Sequence, residues 1–359
     1  MALVLDAARY AGVNARVRGL ISRLIPDWLW AELLAAPDLP SLLSPLEQSW
    51  HRPVLANLEG RPQAAALERR LWRHLVAVSR SPIHLLQGGP RALLDWHWRR
   101  FEVDNLKTVL RAVHHRASAE ALEATLIPLG PGSRLPWRAL GESSSVPALV
   151  ERLQGTFYGP VLEQALDTYR REGQLFVLEV ALDLAYFGRL LRLIAQLGGR
   201  DRQEARRFLG FWVESQNLLW AYRYRIYAGL SPEEILNYTL HRGLRVDAAA
   251  VREIALGAPL AEMVARFWDG AIPGLEQLQE RPEPEALPLL ELLFQRHLHR
   301  MAQSTLDKYS LHLGIVLAFQ VLLFDEIQDL VTLIEGKAAG WSQEQIQPYL
   351  IAPRGPGRG

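Results

Sequence analysis

The feature that most constrains this chain is a pattern that occurs three times at one spacing. Glu102-Val103-Asp104-Asn105-Leu106 is followed by Ser118-Ala119-Glu120-Ala121-Leu122. The pair returns as Glu214-Ser215-Gln216-Asn217-Leu218 with Ser231-Pro232-Glu233-Glu234-Ile235, and again as Glu326-Ile327-Gln328-Asp329-Leu330 with Ser342-Gln343-Glu344-Gln345-Ile346. Asn105, Asn217 and Asp329 stand 112 residues apart at each step, and the serines 113 and 111. A second anchor keeps the same pitch: Glu68, Glu179 and Glu291 open related strings at steps of 111 and 112. A third string, Ser49-Trp50-His51-Arg52-Pro53-Val54-Leu55, recurs once as Thr156-Phe157-Tyr158-Gly159-Pro160-Val161-Leu162. Repeats of about 20 to 50 residues build solenoids. A longer pitch points to whole small domains, here three of them about an approximate three-fold axis.

Leucine, alanine, arginine and glutamate dominate and alternating β-branched runs are nearly absent, so the expected fold class is all-α. The modules span 1–127, 148–241 and 247–353, with a Pro/Gly/Ser-rich segment between the first two. The 354–359 tail has nothing with which to build a core and is expected to be disordered. Within module one, helices are expected over Tyr10–Ile25, Trp28–Ala36, Leu46–Leu58, Ala64–Ser79 and Arg91–His114. The most apolar run, Leu313 to Phe324, covers 12 residues and ends against Asp325 and Glu326. A membrane span needs about 20 apolar residues, so this run reads as a buried helix and no direct membrane span is expected. The N-terminus lacks the pattern of a secretory signal.

In the motif, the acidic residue four positions before Leu106, Leu218 or Leu330 lies about 40° round the helix from it, in or beside the apolar stripe. A carboxylate there must be paired or hydrogen-bonded. Either each of Glu102, Glu214 and Glu326 fixes packing within its own module, or the three line a central cavity and meet a partner. Asn105, Asn217 and Asp329 lie further round, where a short polar side chain suits a helix contact or a solvent edge. Ser118, Ser231 and Ser342 fit N-caps, and Pro232 fits the first helical position.

Catalytic constellations are missing: there is no phosphate-cradling glycine loop, no His-Glu-x-x-His and no Gly-x-Ser-x-Gly. His114-His115 and His297-x-His299 lack the spacing of three or four that puts two ligands on one helix face. With no cysteine, thiolate zinc sites, disulfides and a cysteine nucleophile are all excluded, which fits a reducing, cytosolic setting. No metal or cofactor is expected. The 40 basic and 39 acidic residues nearly cancel, so nothing global draws the chain to nucleic acid, although Tyr222-Arg223-Tyr224-Arg225 has the composition of a base-stacking surface. The 11 tryptophans suit a core or partner surfaces.

Three Glu-x-x-Asn/Asp-Leu helices, each followed by a capped Ser-x-Glu-x-Leu/Ile helix and preceded by Tyr10-x-x-x-Asn14-Ala15-Arg16-Val17-Arg18, resemble the C subunit of bacterial and archaeal V/A-type ATPases. That family includes the d subunit of the eukaryotic vacuolar enzyme. The resemblance covers about residues 8 to 353. It implies a non-catalytic funnel of three helical domains that sits on the membrane proteolipid ring and holds the foot of the central shaft, peripheral to the membrane on the cytoplasmic side. Partner contacts can be carried over only to the motif positions Glu102, Asn105, Glu214, Asn217, Glu326 and Asp329. The sequence departs from the family pattern at Asp329, in one extra residue between Asn217 and Ser231, in the 128–147 segment and in its tryptophan content. An alternative is a helical scaffold of the same fold that binds a different partner.

Overall fold

The structure, a computed structural model, describes residues 2–56, 63–241, 245–307 and 311–352, with side chains from Arg9 onward. The end of the expected Leu46–Leu58 helix and the 354–359 tail lie outside the described residues. Module one contributes α1 (Ala2–Ile21), α2 (Asp27–Ala35), α3 (Leu39–Glu47), α4 (Ala64–Arg80), α5 (Gly88–Trp98), α6 (Arg100–His114) and α7 (Ala119–Thr125). The segment between modules folds as α8 (Trp137–Gly141) and α9 (Val146–Arg152). Module two contributes α10 (Tyr158–Glu172), α11 (Phe176–Gln196), α12 (Gly199–Ala205), α13 (Phe211–Arg223) and α14 (Pro232–Asn237). In module three are α15 (Ala248–Ala255), α16 (Leu260–Trp268), α17 (Glu283–Leu306), α18 (Gly314–Ala338) and α19 (Gln343–Ile346). The class is all-α, with no strand among the described residues, and none of the described helices is long and apolar enough to cross a membrane.

Local chemistry accounts for most element ends. Ser118, Ser231 and Ser342 all cap helices, accepting from the backbone N–H of Ala121, Glu234 and Gln345. In the second and third copies Glu234 and Gln345 reach back to the capping residue and complete a capping box. Gly173 and Gly229, at φ of 70° and 59°, end their helical segments in the left-handed conformation that glycine adopts without strain.

Two expected helices need correction. The chain does not continue helically from Leu46: α3 ends at Glu47, and a 3-10 turn follows at Arg52–Leu55. There the Ser49 hydroxyl accepts from the N–H of His51 and Pro53 has no N–H to give. The expected Arg91–His114 helix is broken at Arg99, whose N–H bonds Trp96 three residues back. The break separates two buried indoles. Trp96 donates to the Tyr186 carbonyl in module two, while Trp98 donates to Val76 on α4. The matching stretch of module two, Arg206–Gly210, is a π turn, and in module three α18 runs through unbroken.

The long helices pack cyclically. α11 lies against α5 and α6 of module one, α17 against α13 of module two, and α4 against α18 of module three. The first module thus closes onto the last. The larger core joins module one, much of module two and α18, and a second core joins the end of module two to α15, α16 and α17.

Candidate functional site

The three motif carboxylates are all buried; Glu102 and Glu326 accept hydrogen bonds from the module that follows in the cycle, and Glu214 from the segment that leads into module three. Glu102 on α6 accepts from the Tyr158 hydroxyl at 2.8 Å. Burial, and then the Glu102 charge, push the Tyr158 hydroxyl above its usual range, so the tyrosine stays a donor. Glu214 on α13 accepts from the backbone N–H of Arg245 at 2.9 Å and from its Nε at 3.0 Å. Glu326 on α18 has three donors: the backbone N–H of Ile25 at 2.7 Å, Trp50 Nε1 at 3.0 Å and His51 Nε2 at 2.7 Å.

The correspondence extends to the partners. His51 and Tyr158 hold the same place in the recurring string that contains Pro53 and Pro160, and both reach the glutamate of the preceding module. Ile25 and Arg245 each lie two residues before an aspartate, Asp27 and Asp247, and both give a backbone N–H. A buried carboxylate left unpaired costs several kcal/mol. These acids are paired, and none of the pairings lies within one module: two span two modules, and that of Glu214 reaches the segment leading into module three.

Asn105, Asn217 and Asp329 are also buried, and they fasten the chain after the capped helix. Asn105 accepts from the N–H of Ile127 at 2.9 Å and donates to its carbonyl at 2.8 Å. Asn217 does the same to Leu240, at 2.7 and 2.8 Å, and also donates to the Val246 carbonyl at 3.1 Å. Asp329 accepts from two N–H groups, Ile351 at 2.6 Å and Ala352 at 3.1 Å. The change from asparagine therefore has a reason. Two donors face Asp329, and a carboxylate can accept both, whereas an amide offers one acceptor and one donor.

A cavity of about 640 Å³ lies between the modules, lined by all three motif helices and by α4, α11 and α17. Arg100, Trp212 and Phe324, each 112 residues from the next, meet there. The Arg100 guanidinium sits 4.7 Å from the Phe324 ring centroid and 6.0 Å from that of Trp212, within cation–π range. Burial lowers the pKa of Arg100, and burial followed by the Arg100 charge holds His97 beside it well below the usual histidine value. One turn further on, Asp104, Gln216 and Gln328 form a second ring of equivalent positions on the cavity wall. Lys107 pairs with Asp183 at 2.6 Å, and His299 with Asp325 at 2.9 Å.

Other candidates from the sequence are used internally. Tyr222 donates to the Ala258 carbonyl, Arg223 pairs with Glu291, and Arg225 donates to the carbonyls of Ile254 and Ala258. Trp30, Trp96, Trp98 and Trp268 are core residues, whereas Trp28 and Trp341 are exposed.

The three motif acids of this all-helical repeat are spent on junctions within the chain. The profile of the ATP synthase (C/AC39) subunit family matches residues 13–349, and the chain belongs to that family. Among its relatives, the A-type ATP synthase C subunit of Methanocaldococcus jannaschii is 25% identical over 98% of this chain and 88% of that protein. The protein of the same name from Methanothermobacter thermautotrophicus is 26% identical over 97% and 89%, and that from Pyrococcus horikoshii 24% over 92% and 87%. This chain is a structural subunit of a rotary ATP synthase, associated with ATP synthesis and ion transport.

Proposed function

We propose that this chain is the central-stalk subunit that couples the shaft to the membrane proteolipid ring, as a pseudo-three-fold funnel on the cytoplasmic face of the membrane. The observation that carries the reading is the cavity lined by the three motif helices, where Arg100, Trp212 and Phe324 meet at one point. A shaft foot gripped there contacts all three modules at once, so torque divides among three walls. Helix ends at the opposite rim rest on the ring's loops. The motif residues serve partner binding indirectly: Glu102, Glu214 and Glu326 by holding the junctions that give the socket its shape, and Asn105, Asn217 and Asp329 by fastening the chain after each capped helix. Capture of the chain from native membranes in mild detergent recovers shaft and ring subunits if this is right. Recovery of neither, with the chain folded, refutes it and leaves a scaffold for another partner.

A further inference from the structure

The charge of the cavity wall is not balanced from within. Among the acids that line it, Asp183, Asp325 and Glu291 have cationic or histidine partners, respectively Lys107, His299 and Arg223. Among the described residues, Glu68 accepts only from Trp72 Nε1 of its own helix, at 3.2 Å. The Asp104 carboxylate has no hydrogen-bonded or ion-paired partner among the described residues, the Thr108 hydroxyl bonding only its backbone carbonyl. The Asp104 side chain is exposed within the cavity mouth, and desolvation by the neighbouring wall raises its pKa against the pull of Lys107 and then Arg100. Of the nearby cations, Lys107 is paired with Asp183, and Arg100 lies on aromatic rings rather than on a carboxylate. A further acceptor is orphaned: Gln320 lines the same cavity, is 7% exposed, and has its Oε1 buried without a partner among the described residues. The two glutamines equivalent to Asp104, Gln216 and Gln328, add amide acceptors on the other two walls.

We infer that the cavity takes the terminal turn of a helix carrying a lysine or arginine, whose cation settles against Asp104 with Glu68 as the second acid. The inference rests on the socket reading above and names the chemistry of what enters it. The volume suits that occupant. An α-helix with side chains is about 10–12 Å across with a 5.4 Å pitch, so about one turn fits within 640 Å³. The asymmetry matters as well. Of three equivalent positions only Asp104 is charged, so a single cation finds one seat among the three walls, and the helix is held at one angle about the axis.

The test uses the full chain and the shaft subunits of the same rotary enzyme, produced together and separately, with binding measured by titration calorimetry across salt. Asp104→Asn is expected to weaken binding about tenfold at low salt, with the difference shrinking as salt rises. Asp104→Lys is expected to weaken it further, and a lysine-to-glutamate change in the terminal turn of the shaft to restore Asp104→Lys binding in part. Asp104→Asn is also expected to leave the melting temperature near neutral pH unchanged, because the side chain is exposed and has no bonded partner to lose; this keeps a folding defect apart from a binding defect. Wild-type affinity in both Asp104 variants overturns the inference and leaves the socket reading standing. Tighter binding by Asp104→Lys overturns it in favour of an anionic occupant. Failure of the wild-type chain to bind the shaft removes the socket reading and this inference together.

Discussion

The carboxylate that closes the cycle of modules should be the most sensitive of the three to loss of its charge. In Glu326→Gln the amide oxygen can keep Trp50 and His51, which both bond Oε1. Its NH2 then faces the N–H of Ile25, which now bonds Oε2 at 2.7 Å. A buried N–H left without an acceptor costs about 1–3 kcal/mol, and exchanging two charge-assisted bonds for neutral ones removes roughly another 1 kcal/mol. The expected loss is about 3 kcal/mol. Glu102→Gln should cost only about 1 kcal/mol, since its one partner is the Tyr158 hydroxyl, which can rotate to donate to the amide oxygen. Glu214→Gln falls between them, because the Arg245 guanidinium is half exposed and screened. Hydrogen exchange resolves where stability is lost, which matters in a chain too large for one two-state transition. Glu326→Gln should release α1, α2 and α3 while α15 and α16 keep their protection. An equal loss in all three variants, or a larger one in Glu102→Gln, would refute the reasoning. If Glu326→Gln weakened shaft binding without any local opening, direct partner contact by that carboxylate would take its place.

Exchanging the residues that fasten the chain after each capped helix should hurt in both directions. Asp329→Asn turns an amide donor toward the N–H of Ile351 or Ala352, and Asn105→Asp sets a carboxylate against the Ile127 carbonyl; each is expected to cost about 1–3 kcal/mol in chemical denaturation. Acid should loosen the junction between modules three and one. His74, stacked edge-on to His51 at 5.0 Å, has its pKa lowered to about 4 by burial and then by the His51 charge. The unfolded chain takes up that proton more readily, so stability falls as pH drops from 6.5 toward 4, by roughly 3 kcal/mol in all. His74→Phe, followed by denaturation at several pH values, should flatten that part of the profile.

The repeat, the all-helical class and the serine caps were legible because each is written in local sequence. A hydroxyl capping its own first turn, or a leucine at a fixed step, needs no distant partner to be recognised. The break at Arg99 was not legible. It follows from Trp96 and Trp98 reaching opposite walls, one of them in module two, and nothing in the Arg91–His114 periodicity records where those walls stand. The motif glutamates showed themselves as acids on an apolar stripe, but not that their donors lie outside their own module. The recurrence of His51 and Tyr158 in matching strings was the available signal, and it became meaningful only once both were seen against a glutamate. Asp329 was visible as a departure from asparagine, while its cause, two N–H groups in place of an N–H and a carbonyl, is three-dimensional. The convergence of Arg100, Trp212 and Phe324 could have been found by applying the 112-residue step one position at a time beyond the motif.

The junction between α18 and module one also sets an order in time. Ile25 and Glu326 are separated by 301 residues, and α4 meets α18 across a shorter but still long separation, 241 residues at Ser79 and Gln320. On a ribosome adding about 5–20 residues per second, roughly 15 to 60 seconds pass between the emergence of Ile25 and that of its acceptor. Throughout that interval the apolar faces of α1, α3 and α4 wait for the helix that will cover them. Modules one and two can begin to join as they appear, but the first helices of the chain are among the last to be sealed. They are the surface that a chaperone would need to shield.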